Sequence, residues 1–301
     1  MAYRFRRGDE SVQHGLRRIA ADQIDKAIAE VDDRGMGAAA TVHQLRKRCK
    51  KLRGLIRLVR PAFGDYGEEN ALFRDAAAGL SGLRDMDAQI ETYDALLDSC
   101  DGNLDRRTFA PVRRRLTLRR KRIVAAQDLD ASLAAFRARM VAAKERAAHW
   151  TLDADGFDAV AGGLRKTYAR AGKAMAKAGD KPTAENFHEW RKRAKYHWYH
   201  TRLLAPVWPG PMTAHRDAAK RLGDMLGEHH DLAVFRDTIA GNPGDSAAGE
   251  IADALFALIE RRQAALADDA FRLGARLLAE PGKPLARRWE SYWKTWRAEC
   301  A

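Results

Sequence analysis

Apolar residues recur at helical spacing along almost the whole chain. In residues 42–61, six of them fall within an arc of about 100° on a helical wheel, which is the width of a core-facing stripe. They are Val42, Leu45, Cys49, Leu52, Ile56 and Val59. No segment shows the alternation of apolar and polar residues, bounded by hairpin turns, that is typical of β-strands. The pattern therefore predicts an all-α fold of long amphipathic helices.

Prolines, glycines and turn residues, including those at 101–103 and 241–244, divide this pattern into successive helices. The predicted helices cover residues 9–32, 42–61, 68–100, 130–150, 157–179 and 184–206. Others begin around residue 111, hold residues 216–233, run from the 241–244 turn to about residue 280, and begin near residue 284. Gly79 and Gly82 weaken the third helix and predict a break near Ser81. Pro209 and Pro211 are expected to lie in a loop.

The stretch around His43 recurs 145 residues later, with His188 in the equivalent position. In register, His43, Arg46, Lys47, Arg48, Lys50, Arg57, Leu58 and Pro61 match His188, Arg191, Lys192, Arg193, Lys195, Arg202, Leu203 and Pro206. An offset of 146, one residue longer, aligns Asp85 with Asp231, so the duplication extends past these two helices. A period of about half the chain predicts a duplicated helical bundle rather than a short-period solenoid.

The best linker between the two copies is residues 151–156, which divides the chain into bundles at 1–150 and 151–301. Short connections between long amphipathic helices favour antiparallel neighbours. We therefore expect two antiparallel helical bundles packed side by side. If a pseudo-twofold axis relates them, both copies of the His-containing helix can face one central groove.

The polar side of the 42–61 helix is strongly basic. His43, Arg46, Lys47, Lys50, Arg53 and Arg57 occupy an arc of about 120° on the helical wheel. Residues 43–60 contain no carboxylate, so a negative partner must come from elsewhere in the fold or from a ligand. One such helix alone could simply be a solvated basic face. Its recurrence in register instead predicts an anion-binding surface.

Two other side-chain patterns have more ordinary interpretations. Residues 113–122 hold seven cations beside a narrow apolar stripe, and these charges spread over the rest of the wheel. They predict a solvated outer face. An aromatic stripe near the C-terminus, formed by Trp289, Tyr292, Trp293 and Trp296, is expected to dock on the core rather than to stack on nucleic-acid bases.

Composition narrows the choice of partners. The chain has 54 Lys and Arg against 41 Asp and Glu, a formal net charge of +13, which attracts polyanions. Cys49, Cys100 and Cys300 lack the spacing of a disulfide framework or a zinc site. The N-terminus has no signal-peptide apolar region, and no apolar run is long enough to cross a membrane. We expect a cytoplasmic protein with no membrane partner, metal or cofactor.

The two H-x-x-R-K-R-x-K helices, the L-R-D-M-D of the first half and the H-D-L of the second resemble the CHAD family, the conserved histidine α-helical domain. The resemblance covers nearly the full chain. It implies two pseudosymmetric helical bundles around a basic central cavity that binds inorganic polyphosphate. The residues implied to line the cavity are His43, Arg46, Lys47, Lys50, Arg53, Arg57, His188, Arg191, Lys192, Lys195 and Arg202, extended by Arg17, Arg18, Arg165, Lys166, Arg170 and Lys173.

This sequence departs from the family pattern in two ways. Trp198 occupies the position equivalent to Arg53, so the two halves are expected to contribute unequally. Family members are often fused to a CYTH-type triphosphate hydrolase domain, and no segment here could encode one. The resemblance therefore implies a binding module rather than an enzyme, and it leaves attachment to polyphosphate granules open.

Three alternatives remain open. A His on a helical bundle can carry a phosphoryl group in histidine phosphotransfer, with His43 or His188 as the nucleophile, although the crowd of cations suits a long polyanion better. RNA binding is favoured by charge, but no nucleic-acid signature accompanies it. Metal binding by His229, His230 and Asp231 is less favoured, because adjacent helical residues point about 100° apart.

Overall fold

The computed structural model describes residues 3–33, 35–100, 105–126, 128–241 and 246–299, with the side chains of 81–85, 124–126 and 246–248 left aside. Within these ranges every regular element is a helix and no strand occurs. The predicted all-α fold is confirmed. The turns predicted at 101–103 and 242–244, the Asp85 side chain and Cys300 lie outside the described residues.

The α-helices are α1 (Val12–Asp32), α2 (Ala38–Val59), α3 (Tyr66–Ala78), α4 (Ser81–Asp98), α5 (Ala110–Ala126), α6 (Leu129–Ala148), α7 (Asp158–Asp180), α8 (Ala184–Leu204), α9 (Pro209–Ala240), α10 (Ser246–Leu277) and α11 (Gly282–Ala298). Short 3₁₀ helices cover Arg106–Phe109 and Ala205–Val207. The predicted break near Ser81 is confirmed, because α3 ends at Ala78 and α4 begins at Ser81. In the described part of the chain, no helix is long and apolar enough to span a membrane.

The loop predicted at Pro209 and Pro211 is wrong, because both residues lie in the first turn of α9. The N–H groups of a first turn have no partner within the helix, so a proline there removes no hydrogen bond. The fixed φ of proline also matches the helical value. Instead of ending the structure, the two prolines start a helix of 32 residues.

The largest core cluster joins α1, α2, α6 and α7 to the C-terminal helix α11. The six apolar residues predicted to face the core from α2 are all fully buried, which confirms that stripe. Trp289, Trp293 and Trp296 are also buried, and the Trp293 ring packs edge-on against Phe5 at 6.0 Å between ring centroids. The aromatic stripe of α11 therefore docks on the core, as predicted.

A second core cluster joins α4 and α5 to α9 and α10. The Tyr93 and Phe235 rings meet edge to face in it, with centroids 6.2 Å apart. On α5, Val112 and Leu116 are buried and most cations are exposed, which confirms the predicted outer face. Both clusters thus combine residues from either side of position 151. The domain boundary there and the internal duplication stay predictions.

Two glycines let α2 approach the second half of the chain closely. A Cβ at Gly163 of α7 would lie 1.8 Å from the backbone oxygen of Leu58, so only glycine fits there. A Cβ at Gly54 of α2 would lie 2.8 Å from the Cβ of Tyr199 on α8. These contacts hold α2 directly against α7 and α8. The basic residues of α2 and α8 are brought near one another as a result.

Candidate functional site

Cations from α2 and α8 converge around Lys50. The Lys50 side chain is accessible to solvent, yet burial of its surroundings lowers its pKa to about 8. The positive charges of Arg191, Arg46 and Lys195 lower this pKa further, whereas the carboxylate of Asp231 raises it. A side chain that is accessible but poorly hydrated indicates a concave surface. We call this group of Arg46, Lys50, Arg191 and Lys195 the α2–α8 cluster.

Helix α9 forms one wall of the α2–α8 cluster. Glycines at 223 and 227 lie one helical turn apart and leave room for the two long side chains of α8. A Cβ at Gly223 would lie 3.0 Å from Cδ of Lys195, and one at Gly227 would lie 3.6 Å from Nε of Arg191. The Lys195 ammonium donates to Asp224 at 2.7 Å. Glycines thus let α9 support the cations without covering them.

The two basic faces are not wholly without carboxylate partners. Besides the bond from Lys195 to Asp224, Lys192 lies 3.0 Å from the carboxylate of Glu189. On α2, Arg48 forms an ion pair with Glu30 of α1. The sequence suggested that the basic faces of α2 and α8 have no carboxylate partners. This expectation is wrong for Arg48 and Lys195, because packing brings Glu30 of α1 and Asp224 of α9 beside them. Within the α2–α8 cluster, Lys195 is thus a member whose charge is paired with a carboxylate, that of Asp224 at 2.7 Å.

His188 lies beside the cluster, and its ring packs at a tilt against a second histidine. The rings of His188 and His230 have centroids 4.1 Å apart. Burial lowers the pKa of His188, and the charges of Lys192 and Arg191 lower it further. Burial also lowers the pKa of His230 to about 4. Both rings are therefore neutral near pH 7, and each can donate one hydrogen bond while carrying no charge.

Arg53 and Arg57 extend the basic surface along α2. Arg57 lies seven residues beyond Lys50, so it projects from the same face about 10 Å further along the helix axis. Arg53 Nε and Arg57 Nη2 each donate to the side-chain oxygen of Asn70 at 3.1 Å. The Arg57 guanidinium also lies over the Tyr196 ring, 4.0 Å from its centroid. Uncharged groups therefore fix the direction of both arginines.

A second basic group surrounds Lys51, which the sequence had not singled out. The residue is only 7% exposed, and burial lowers its pKa to about 7. Arg48, Arg202 and Lys47 lower this pKa further. The Arg202 guanidinium lies over the ring of Trp198 at 5.0 Å from its centroid. The tryptophan at the position equivalent to Arg53 thus supports a neighbouring cation instead of supplying one.

The remaining predicted residues lie in several places. On α7, Arg165, Lys166, Arg170 and Lys173 are exposed, and Arg170 lies near Arg60 at the end of α2. His43 and Lys47 are exposed on α2, and Lys192 is exposed on α8. Arg17 donates to the Trp150 carbonyl at 2.7 Å, and Arg18 pairs with Asp9 at 2.7 Å. These last two side chains hold α1 to Trp150 and to Asp9.

Several residues that lie beside the predicted cations were not predicted from the sequence. They lie on four different helices, and only packing brings them beside the predicted residues. They are Lys51 on α2, Asn70 on α3, Tyr196 on α8 and His230 on α9. The sequence gives a weak signal for His230, because this residue lies in the H-H-D stretch considered as a metal site. Its ring packs at a tilt against His188, whereas that of His229 stacks on Phe187, with centroids 4.0 Å apart. Among the described residues, no group of three or more His, Cys, Asp or Glu could hold a metal ion.

Comparisons with known proteins agree with this architecture. The family model described as CHAD domain matches residues 18–240. Among solved structures, PptA from Streptomyces chartreusis is similar with a TM-score of 0.60 and 16% sequence identity, over 88% of this chain and 98% of that one. The CHAD domain from the plant Ricinus communis gives a TM-score of 0.63 and 18% identity, over 92% and 95%. At these identities the likeness shows the fold. A search of curated proteins gives no match.

Proposed function

The chain belongs to the CHAD domain family, and on that premise we propose that it binds inorganic polyphosphate at the α2–α8 cluster without altering it chemically. The observation that carries the proposal is the convergence of Arg46, Lys50, Arg191 and Lys195 from two helices. Like charges at this density repel one another, and a bound anion would relieve that repulsion. The resemblance to the family points to polyphosphate as that anion.

Polyphosphate matches the shape and charge of the surface. It is a flexible chain with about one negative charge per phosphate, so successive phosphates can contact cations spaced along α2. Binding releases the counterions of the chain, which provides a driving force that weakens as salt is added. Arginine adds paired hydrogen bonds to phosphate oxygens, and lysine adds a mobile point charge. Neutral His188 would contribute one further hydrogen bond beside the cluster.

The proposal of binding without chemistry rests on the composition of the surface. Enzymes that cleave phosphate chains commonly use carboxylates to hold two metal ions. The carboxylates nearest the cluster are separate: Asp224 pairs with Lys195 and Lys220, and Asp231 acts on Lys50. A histidine nucleophile would also need an adjacent base, and the ring beside His188, that of His230, is a weak base because its pKa is about 4. Binding is the simpler role for such a surface.

A pair of charge-matched variants tests the proposal. Lys50→Gln with Arg191→Gln removes two cations of the cluster, whereas Arg114→Gln with Arg119→Gln removes two exposed cations of α5. Each charge-assisted hydrogen bond contributes about 1.5–3 kcal/mol, so the first pair should weaken long-chain polyphosphate binding at least tenfold more than the second.

The salt dependence gives an independent measurement. For a single-stranded polyanion, each lost contact lowers the slope of log K against log salt by about 0.7, so the cluster variant should lose roughly 1.4 and the α5 variant nothing. Equal effects in both variants, measured by fluorescence anisotropy with circular dichroism unchanged, would contradict a specific site. Release of labelled phosphate from the chain would contradict the absence of chemistry.

A further inference from the structure

Three arginines gather where α2 ends. Arg57 lies in the last turn of α2, Arg60 is the residue that caps this helix, and Arg170 approaches from α7. Burial lowers the pKa of Arg60, and the positive charges of Arg170 and Arg57 lower it further. Arg57 is only 7% exposed, so one of the three guanidinium groups is almost completely removed from solvent. The group therefore concentrates positive charge in a poorly hydrated place.

Neutral groups occupy the surroundings of these arginines. Arg57 donates to Asn70 at 3.1 Å and lies over the rings of Tyr196 and Tyr66, at 4.0 and 5.7 Å from their centroids. Tyr66 also lies close enough to Arg60 to raise its pKa, in opposition to the burial and the two arginines. Glu69 on α3 is buried, but its carboxylate accepts from Arg146 at 2.8 Å. Nothing in these contacts balances three positive charges.

Behind the arginines lies His200, which is wholly buried. Burial lowers its pKa to about 3, and Arg57 and Arg60 contribute to that shift, so the ring is neutral. The C-terminal end of a helix carries about half a negative charge, which favours cations there. That fraction is small beside three guanidinium charges. Among the described residues, the three arginines therefore still lack most of their counter-charge.

Some N–H donors of these arginines also lack an acceptor among the described residues. Nε of Arg57 and both Nε and Nη2 of Arg60 are buried with no acceptor among the described residues. Burying a charged donor without an acceptor is costly, and folded proteins normally avoid it. Arginine forks match the oxygen geometry of phosphate, and tyrosine hydroxyls also donate to it. A tetrahedral oxyanion would satisfy these donors and the charge together.

We propose that Arg57, Arg60 and Arg170, with the Tyr66 hydroxyl, form a seat for one phosphoryl group. Two sources share this chemistry: free orthophosphate, and the terminal phosphate of a chain bound at the α2–α8 cluster. The second source rests on the proposed function. Arg57 continues the line of Lys50 along α2 about 10 Å away, so a bound chain can reach the seat. The seat lies at the end of this line, because Arg57 and Arg60 are the last cations at the C-terminal end of α2.

The test uses Arg60→Gln with Arg170→Gln in the full chain, because neither residue contributes to the apolar core. Arg114→Gln with Arg119→Gln is the control with equal charge loss. Calorimetric titration with orthophosphate should show binding to the unaltered protein, at least tenfold weaker binding in the seat variant and less than twofold change in the control. Tyr66→Phe, which removes only the hydroxyl, should weaken orthophosphate binding by a smaller factor.

Long chains then separate the two sources. Polyphosphate with both ends blocked should bind more weakly than unblocked chains if the seat holds a terminal phosphate, and the seat variant should abolish this difference. Equal binding of blocked and unblocked chains would assign the seat to free orthophosphate. Orthophosphate affinity that is undetectable, or that is the same in the seat variant and the control, would overturn the seat. The proposed function would survive that result if Lys50→Gln with Arg191→Gln still weakened long-chain binding.

Discussion

Replacing Lys50 by arginine should remove part of the pH dependence of polyphosphate binding. In the free protein the pKa of Lys50 is about 8, because its surroundings are poorly hydrated and Arg191, Arg46 and Lys195 repel its proton. A bound polyanion would reverse the repulsion and restore the proton. Arginine at this position stays charged throughout the accessible pH range. The variant therefore keeps the cation and eliminates its titration.

The size of the effect follows from linkage. A group with a pKa of about 8 is about 90% protonated at pH 7 and about 10% protonated at pH 9. If the complex requires the protonated form, binding must take up the missing proton, and affinity falls by about tenfold between these two pH values. The direction is fixed, because raising the pH removes a cation from the free site. Lys51, with a pKa of about 7, titrates in both proteins alike.

The comparison requires dissociation constants for long-chain polyphosphate at pH 7, 8 and 9 and constant ionic strength. The ratio of the two proteins' affinities cancels titration of the ligand and of every other side chain. That ratio should change by about tenfold in favour of Lys50→Arg as the pH rises. A ratio that stays constant would show that polyphosphate binding does not change the protonation of Lys50. The polyphosphate chain would then not bind at the α2–α8 cluster.

Two further predictions concern stability. Gly163→Ala should destabilise the protein by at least about 1–3 kcal/mol, because its Cβ would overlap the Leu58 carbonyl oxygen, whereas Gly172→Ala on the same helix has open space; similar urea midpoints for both would refute the close packing of α2 and α7. Acid should destabilise the unaltered protein, because burial lowers the pKa of His215, His229 and His230 to about 4. The unfolded chain then binds more protons below about pH 6.5, so the free energy of unfolding should fall from there towards pH 4; a constant urea midpoint over that range would contradict this.

Helical periodicity was sufficient to predict α2 in detail. Val42, Leu45 and Leu52 are fully buried, and the positions between them carry the cations, because a single amphipathic helix determines both faces at once. The recurrence at His188 added that a second helix has the same design, and packing does bring Arg191 and Lys195 to Lys50. Local patterns therefore predicted the main cationic residues of the candidate site.

Contacts between distant segments could not be predicted in this way. The carboxylate of Asp224 reaches Lys195 from α9, and the Tyr196 ring reaches Arg57 from α8. In the sequence, Arg60 is simply the residue before a helix-ending proline, and only packing places Arg170 beside it. Pro209 was assigned to a loop because a proline allows either a loop or a first helical turn. Such features depend on how helices pack rather than on their individual periodicity.

The central claim is that the cluster recognises polyphosphate rather than any polyanion. The most direct measurement is a competition assay in which labelled long-chain polyphosphate is displaced by unlabelled polyphosphate or by single-stranded RNA of the same total charge, at salt near 0.15 M. The close spacing of charge along polyphosphate predicts that polyphosphate competes at least tenfold better. Equal displacement by RNA, or stronger displacement, would contradict the account.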